Sequence, residues 1–215
     1  FTPNMTIADG GSLNGIFGSS ATELVLAGVN GIFEGGNPGF TSVPNMVDNA
    51  QDVHGAGTTT WVVGVGGAMG RRINTTWTKM PDGPQTLNGV WMATQDAGWA
   101  VGGGAVVLQI TDDTIDQKTL PSAIPQNNLY DVWGFDENDV WAVGDDGLLL
   151  HFDGTSWSPT TSGTANILVS AWGSAGNDVW VVGDGGTLLH FDGTAWSVIS
   201  SGTAETLYTV WGSSS

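Results

Sequence analysis

The chain has no cysteine, only four Lys and Arg together, and no long apolar run. Without thiols there is no disulfide framework and no thiol chemistry, and the redox compartment is left open. Four basic against 21 acidic residues give a formal charge of −17. A field of that sign repels phosphate backbones and anionic lipid surfaces, so nucleic acid is excluded as a partner. No apolar stretch of ~18 residues is present, hence no transmembrane segment is expected. No charged-then-apolar leader is read at Phe1. Nowhere do apolar residues recur with a 3.6-residue period, so helices are not expected.

What the chain has in abundance is glycine, 34 residues, and tryptophan, 11 residues, both at regular places. The segment from Asp131 to Trp157 returns almost unchanged 39 residues later, ending at Trp196. Two marks define the unit: an aromatic-Gly pair, then eight residues on an aromatic, two apolar positions and Gly, as in Trp172-Gly173 and Trp180 to Gly183. The first mark recurs at Phe17, His54, Trp91, Trp133, Trp172 and Trp211, at intervals of 37, 37, 42, 39 and 39. The second begins at Val25, Trp61, Trp99, Trp141 and Trp180. A third mark, an apolar anchor, stands at Phe40, Trp77, Ile115, Trp157 and Trp196, with Phe1 as a first copy. Three residues before the anchors stand Asn37, Asn74, Asp112, Gly154 and Gly193. These are the residue types that best tolerate a left-handed backbone in a tight turn.

Within each unit, short runs of Val, Leu, Ile and Trp are separated by Gly, Asp, Asn, Ser and Thr, which is strand after strand. Each unit supplies four strands: one around each of the first two marks, one of the Leu148 to Phe152 type, and one from the anchor. Units of about 40 residues with four short strands are the sign of a β-propeller blade. The expectation is an all-β, single-domain β-propeller over residues 1–215, with five complete repeats of ~39 residues and partial repeats at both ends. The partial repeats at Phe1 and Trp211 point to a fragment of a longer chain, whose six-bladed ring closes by pairing the termini. Five- and seven-bladed rings are the alternatives.

The pattern Asp139-Val-Trp-Ala-Val-Gly144, followed by Gly147-Leu-Leu-Leu-His-Phe-Asp-Gly-Thr-Ser-Trp157, resembles the Asp-box and photosystem II assembly-factor types of propeller. More closely, it resembles the Trp-Gly repeats of bacterial secreted and surface proteins. The usual Asp box has Ser before its Asp and Gly before its Thr-Trp, where this chain reads Phe152-Asp-Gly-Thr-Ser-Trp157. The resemblance therefore implies a turn position and a fold, and no chemistry.

Candidate chemistry is confined to repeated polar residues. His151 and His190 hold the same place in adjacent units, each before Phe-Asp-Gly, either as ligand contacts or as strand-end residues bonded to the turn; Arg72, Ile110 and Gly35 stand nearby in the other units. Tyr130 and Tyr208 join them as candidate ligand-binding residues, since aromatic rings stack on sugar faces. Asp136, Asp139, Asp145 and Asp146 offer oxygen ligands for calcium, without the fixed spacing of a calcium loop; otherwise no cofactor is implied. Asp153, Asp192 and Asp178 read as structural turn carboxylates. His54 reads as a packing variant of the first mark. A sialidase-like site needs three separated Arg, and this chain has the adjacent Arg71 and Arg72. The unit from Thr111 to Asn128 carries an insertion with Pro121 and Pro125, a place where propellers carry specificity.

These features point to a non-catalytic binding or scaffold module with a protein or glycan partner. A multivalent lectin is the alternative, and a hydrolase or lyase the less favoured third. Plentiful Ser, Thr, Gly and Asn with little Lys fit an extracellular or cell-surface bacterial protein.

Overall fold

The computed structural model describes residues 12–20, 23–36 and 39–213. The strand expected at Phe1 and the turn at Asn37 lie outside them. The described residues form five four-stranded antiparallel sheets, each a simple meander in chain order. Blade 1 comprises β1 (Leu13–Ser20), β2 (Glu23–Gly28), β3 (Gly31–Gly36) and β4 (Gly39–Val43). Blade 2 comprises β5 (Ala50–Ala56), β6 (Thr59–Gly64), β7 (Met69–Ile73) and β8 (Thr76–Lys79). Blade 3 comprises β9 (Leu87–Met92), β10 (Ala97–Gly102), β11 (Val106–Thr111) and β12 (Thr114–Gln117). Blade 4 comprises β13 (Leu129–Asp136), β14 (Asp139–Gly144), β15 (Leu149–Phe152) and β16 (Trp157–Thr160). Blade 5 comprises β17 (Leu168–Ala175), β18 (Asp178–Gly183), β19 (Leu188–Phe191) and β20 (Trp196–Val198). The first marks from Phe17 to Trp172 fall on first strands and the second marks on second strands, as the spacing predicts, whereas the sixth first mark, Trp211, lies in no strand.

The first strands β1, β5, β9, β13 and β17 lie side by side in chain order and form the inner edge of the array. Their aromatic residues make a continuous column. Ring centroids are 5.3 Å apart for Phe17 and His54, 6.4 Å for His54 and Trp91, 6.2 Å for Trp91 and Trp133, and 6.5 Å for Trp133 and Trp172. This column explains the first-mark glycines of blades 2 and 4. A Cβ on Gly134 would stand 2.8 Å from the Trp91 ring, and one on Gly55 2.8 Å from the Phe17 ring, so each glycine makes room for the preceding aromatic. Unit 3 carries Met92 in place of that glycine. There the preceding ring is the small imidazole of His54, whose Nδ1 accepts the Met92 N–H at 3.0 Å.

Between blades, the second-mark Trp packs against the third and fourth strands of the next blade. Trp99 meets Phe152 at 4.7 Å and Trp157 at 5.3 Å; Trp141 meets Phe191 at 5.3 Å and Trp196 at 5.2 Å. Tilted and edge-on contacts of this kind add to the area they bury. The hairpins before the anchors of blades 2 to 5 take a left-handed residue, and Asn74, Asp112, Gly154 and Gly193 adopt φ of 54°, 53°, 86° and 89°.

A sixth first-mark segment follows blade 5. Leu207 N–H donates to the Gly183 carbonyl at 3.0 Å, and Val210 N–H reaches Ser170 Oγ at 3.5 Å. This is the place an inner strand takes beside β17. Among the described residues the segment pairs with no second strand, and Tyr208 and Trp211 are 76% and 80% exposed.

Candidate functional site

The repeated polar residues are tied into their own blades. On β15, His151 lies opposite Trp141, stacks on its ring at 4.1 Å, and bonds through Nε2 to Asp139 Oδ1 at 2.8 Å. On β19, His190 repeats this with Trp180 at 4.1 Å and Asp178 Oδ1 at 2.8 Å. In blade 2 the same register position holds Arg71, whose guanidinium lies 5.7 Å from the Trp61 ring centre. Blades 1 and 3 place Glu34 and Gln109 there. The sequence comparison with Arg72, Ile110 and Gly35 is therefore off by one residue, and a one-residue slip in a strand changes faces.

Asp153 Oδ1 accepts the N–H groups of Thr155 and Ser156, both at 2.9 Å, and Asp192 Oδ1 those of Thr194 and Ala195 at 2.8 and 2.9 Å. These amide bonds hold both carboxyls below the usual carboxylate range. Asp178 is also lowered, first by the Ser174 hydroxyl and next by His190.

The residues offered for calcium separate into two places. Asp136 and Asp139 bound the turn before β14, where Asp136 Oδ1 accepts the Asn138 N–H at 2.8 Å and Asp139 holds His151. Asp145 and Asp146 lie beyond the other end of β14. There Asp145 accepts from Asn128 and from the Tyr130 hydroxyl at 2.8 Å, and Asp146 from Asn127 Nδ2 at 3.0 Å. Among the described residues no three His, Asp or Glu side chains gather into a metal-binding group. Tyr130, raised above its ordinary value first by burial and then by its bond to Asp145, sits on an inner strand. Tyr208 lies two repeats later on the free segment, so the two tyrosines and two histidines do not converge.

Sequence reasoning passed over the inner-edge latches. Each blade joins the next through one side chain just before its first-mark aromatic. Asn14 Nδ2 donates to the Ala50 carbonyl at 2.8 Å and Asn88 Nδ2 to the Leu129 carbonyl at 2.8 Å. Asp52 Oδ2 accepts the Val90 N–H at 2.9 Å, and Asp131 Oδ2 the Ala171 N–H at 2.9 Å. Irregularities in the pairing of β5 and β13 immediately before these two Asp re-aim their side chains toward the next blade. Loss of hydration pushes Asp52 up to about 7, with the charge of Asp131 adding to it, and Asp131 up to about 6. Burial lowers His54 to about 4, which leaves its Nδ1 free to accept the Met92 amide. The visible signal was the series Gly15, Asp52, Gly89, Asp131 at one repeat position, with Asn14 and Asn88 preceding the glycines.

Two clefts open between blades. One, of about 330 Å³, lies between blades 1 and 2 and includes Phe17, Thr60 and Arg72. The larger, of about 580 Å³, lies between blades 3 and 4 under the insertion of unit 3. That insertion is anchored rather than slack: Ile124 is 2% exposed, packs in the core with Trp99 and Trp157, and donates its N–H to the Pro121 carbonyl at 2.9 Å.

The consecutive four-stranded meanders and their inner edge of first strands define a β-propeller. No family model and no curated protein sequence matches the chain. Solved propellers resemble it in fold at low identity. YCF48 bound to D1 peptide superposes with a TM-score of 0.70 at 13% identity, over 92% of this chain and 70% of that one. A catalytically inactive virginiamycin B lyase from Staphylococcus aureus, solved with quinupristin, gives 0.79 at 14%, over 95% and 75%. The WD40 propeller domain of Doa1 gives 0.72 at 12%, over 87% and 68%.

Proposed function

We propose that the chain is a non-catalytic binding or scaffold propeller of an exported or cell-surface protein, and that its partner is a protein. One observation carries this reading. The polar residues that recur from blade to blade are spent on holding the fold, whereas the non-repeated insertion of unit 3 overhangs an open cleft of about 580 Å³. Specificity then rests on the irregular part of a rigid frame, as it does where loops vary on a fixed scaffold. Asp52, His54 and Asp131 are desolvated acid-base groups of the inner edge, and each accepts a backbone amide of the next blade, which is a structural task. That a propeller of like architecture is known with a bound peptide supports a protein partner over a glycan.

The test is a selection of displayed random peptides on the immobilised chain, run beside a glycan array. A convergent peptide family is the expected result. Saturable binding of related sugars with an empty peptide selection would replace this reading with the lectin. For the exported setting, fractionation of the source cells with an antibody should place the protein outside the cytoplasm, and recovery from the cytoplasm alone would reject it.

A further inference from the structure

The chain has four cationic side chains against 21 acidic ones. Three are neutralised in place: Arg71 is bonded to Asp113, Arg72 Nε lies 3.4 Å from Glu34, and Lys79 Nζ lies 4.0 Å from Asp82. Lys118 is the exception, with no carboxylate at ion-pair distance among the described residues. It is half-buried, directly after β12, and lines the cleft of about 580 Å³ between blades 3 and 4.

The same cleft has an apolar side formed by Leu120, Pro121 and the buried Trp157, and neutral hydrogen-bonding groups on Gln109 and Ser156. Its walls are held from both flanks. Ile124 pins the insertion to the core, and Asp153 pins the turn that carries Ser156. A pre-formed concavity with an apolar wall, a few fixed polar groups and one unpaired cation is the construction of a binding site.

We infer that the cleft between blades 3 and 4 binds a peptide segment that presents a carboxylate side chain beside an apolar one, the carboxylate on Lys118 and the apolar side chain against Leu120, Pro121 and Trp157. This rests on the protein-binding reading above and names the chemistry of its site. A net charge of −17 opposes any acidic ligand at long range. An isolated carboxylate is thus repelled, and the apolar contact is what makes the pair selective. A charge-assisted hydrogen bond then orients it.

Fluorescein-labelled hexapeptides Ser-Gly-Glu-Leu-Gly-Ser and Ser-Gly-Gln-Leu-Gly-Ser serve as probes, read by fluorescence anisotropy with the whole chain. The Glu peptide should bind the wild type, and Lys118→Gln should weaken it about ten-fold, the loss of one charge-assisted bond. Lys118→Arg should retain binding. Lys79→Gln, which removes the same charge elsewhere, should leave binding unchanged. Equal loss in Lys118→Gln and Lys79→Gln, equal binding of the Gln peptide, or no binding of the Glu peptide would each overturn the assignment. Displacement of the Glu peptide by glucuronate at similar concentration would transfer the cleft to acidic sugars and equally overturn it. Selected peptides that lack an acidic residue and bind Lys118→Gln undiminished would sink the cleft and leave the protein-binding function standing.

Discussion

Blades 3 and 5 carry the same tryptophan at the same place in the repeat, yet Trp99 is wholly buried and Trp180 is not. In blade 3 the ring is enclosed by Phe152 and Trp157 of the following blade. In blade 5 it has its own His190 stacked upon it, and among the described residues no further blade packs on its ring. The difference shows that burial here is a property of the interface between units and not of the unit. A blade alone is a sheet with one apolar face open, and stacking supplies the rest of the core, as in other repeat architectures.

The comparison can be broken by truncating both rings. Trp99→Ala removes a wholly enclosed indole and should cost about 3–5 kcal/mol. Trp180→Ala removes a partly solvated one and should cost about 1–2 kcal/mol by the smaller area lost. Urea midpoints measure both, and equal losses would mean that the outer face of blade 5 is covered in solution. The anchors give a second, smaller contrast. Trp157 is 3% exposed and Trp196 is half-buried, so Trp157→Ala should again fall at about 3 kcal/mol or more and Trp196→Ala below it. A cost for Trp196→Ala as large as for Trp157→Ala would reject the idea that position in the array sets the value of an anchor.

Much of this frame is legible from the chain. The three marks place the first, second and fourth strands of each blade because each has a packing reason that recurs: the aromatic of the inner column, the Trp between blades, and the anchor that receives the Trp of the preceding blade. The turn residues are legible for the same reason, since a left-handed residue recurs at one place before the anchors of blades 2 to 5. The latches are not, because the chain solves one task in different ways. Asn14 and Asn88 donate to a carbonyl, whereas Asp52 and Asp131 accept an amide, so the alternation hides a common role. His54 and Met92 are a matched exception to the aromatic-Gly rule that shows its meaning once the column is assembled. The cleft at Lys118 depends on which carboxylates lie within reach of which cations across blades, and sequence spacing does not carry that.

The latches sharpen the contrast between inner interfaces and the free face of blade 5. Blade 4 is joined to blade 5 by Asp131, which titrates, and blade 5 holds the segment beyond it by the Ser170 hydroxyl, which does not. Asp52 and Asp131 have folded values of about 7 and about 6 against an ordinary 3.8, so the folded chain keeps protons that the unfolded chain releases. Their contribution is full below 3.8 and is lost as pH rises through about 6 and about 7. His54 acts in the opposite sense: with a folded value of about 4 against 6.5, its contribution is full above 6.5 and is lost as pH falls through about 4. Two groups oppose one, so melting temperature should decline gently as pH rises from roughly 4 to 7. Asp131→Asn should flatten that decline and His54→Phe should steepen it, because each removes one side of the balance. Ser170→Ala should lower stability by about 0.5–1 kcal/mol, the worth of one ordinary hydrogen bond, and by more above pH 6, because the Ser170 hydroxyl also bonds the Asp131 carboxylate and holds it down. Melting curves across that range decide the matter: an Asp131→Asn profile parallel to the wild type would remove the titrating latch and leave the inner edge no different from the free face.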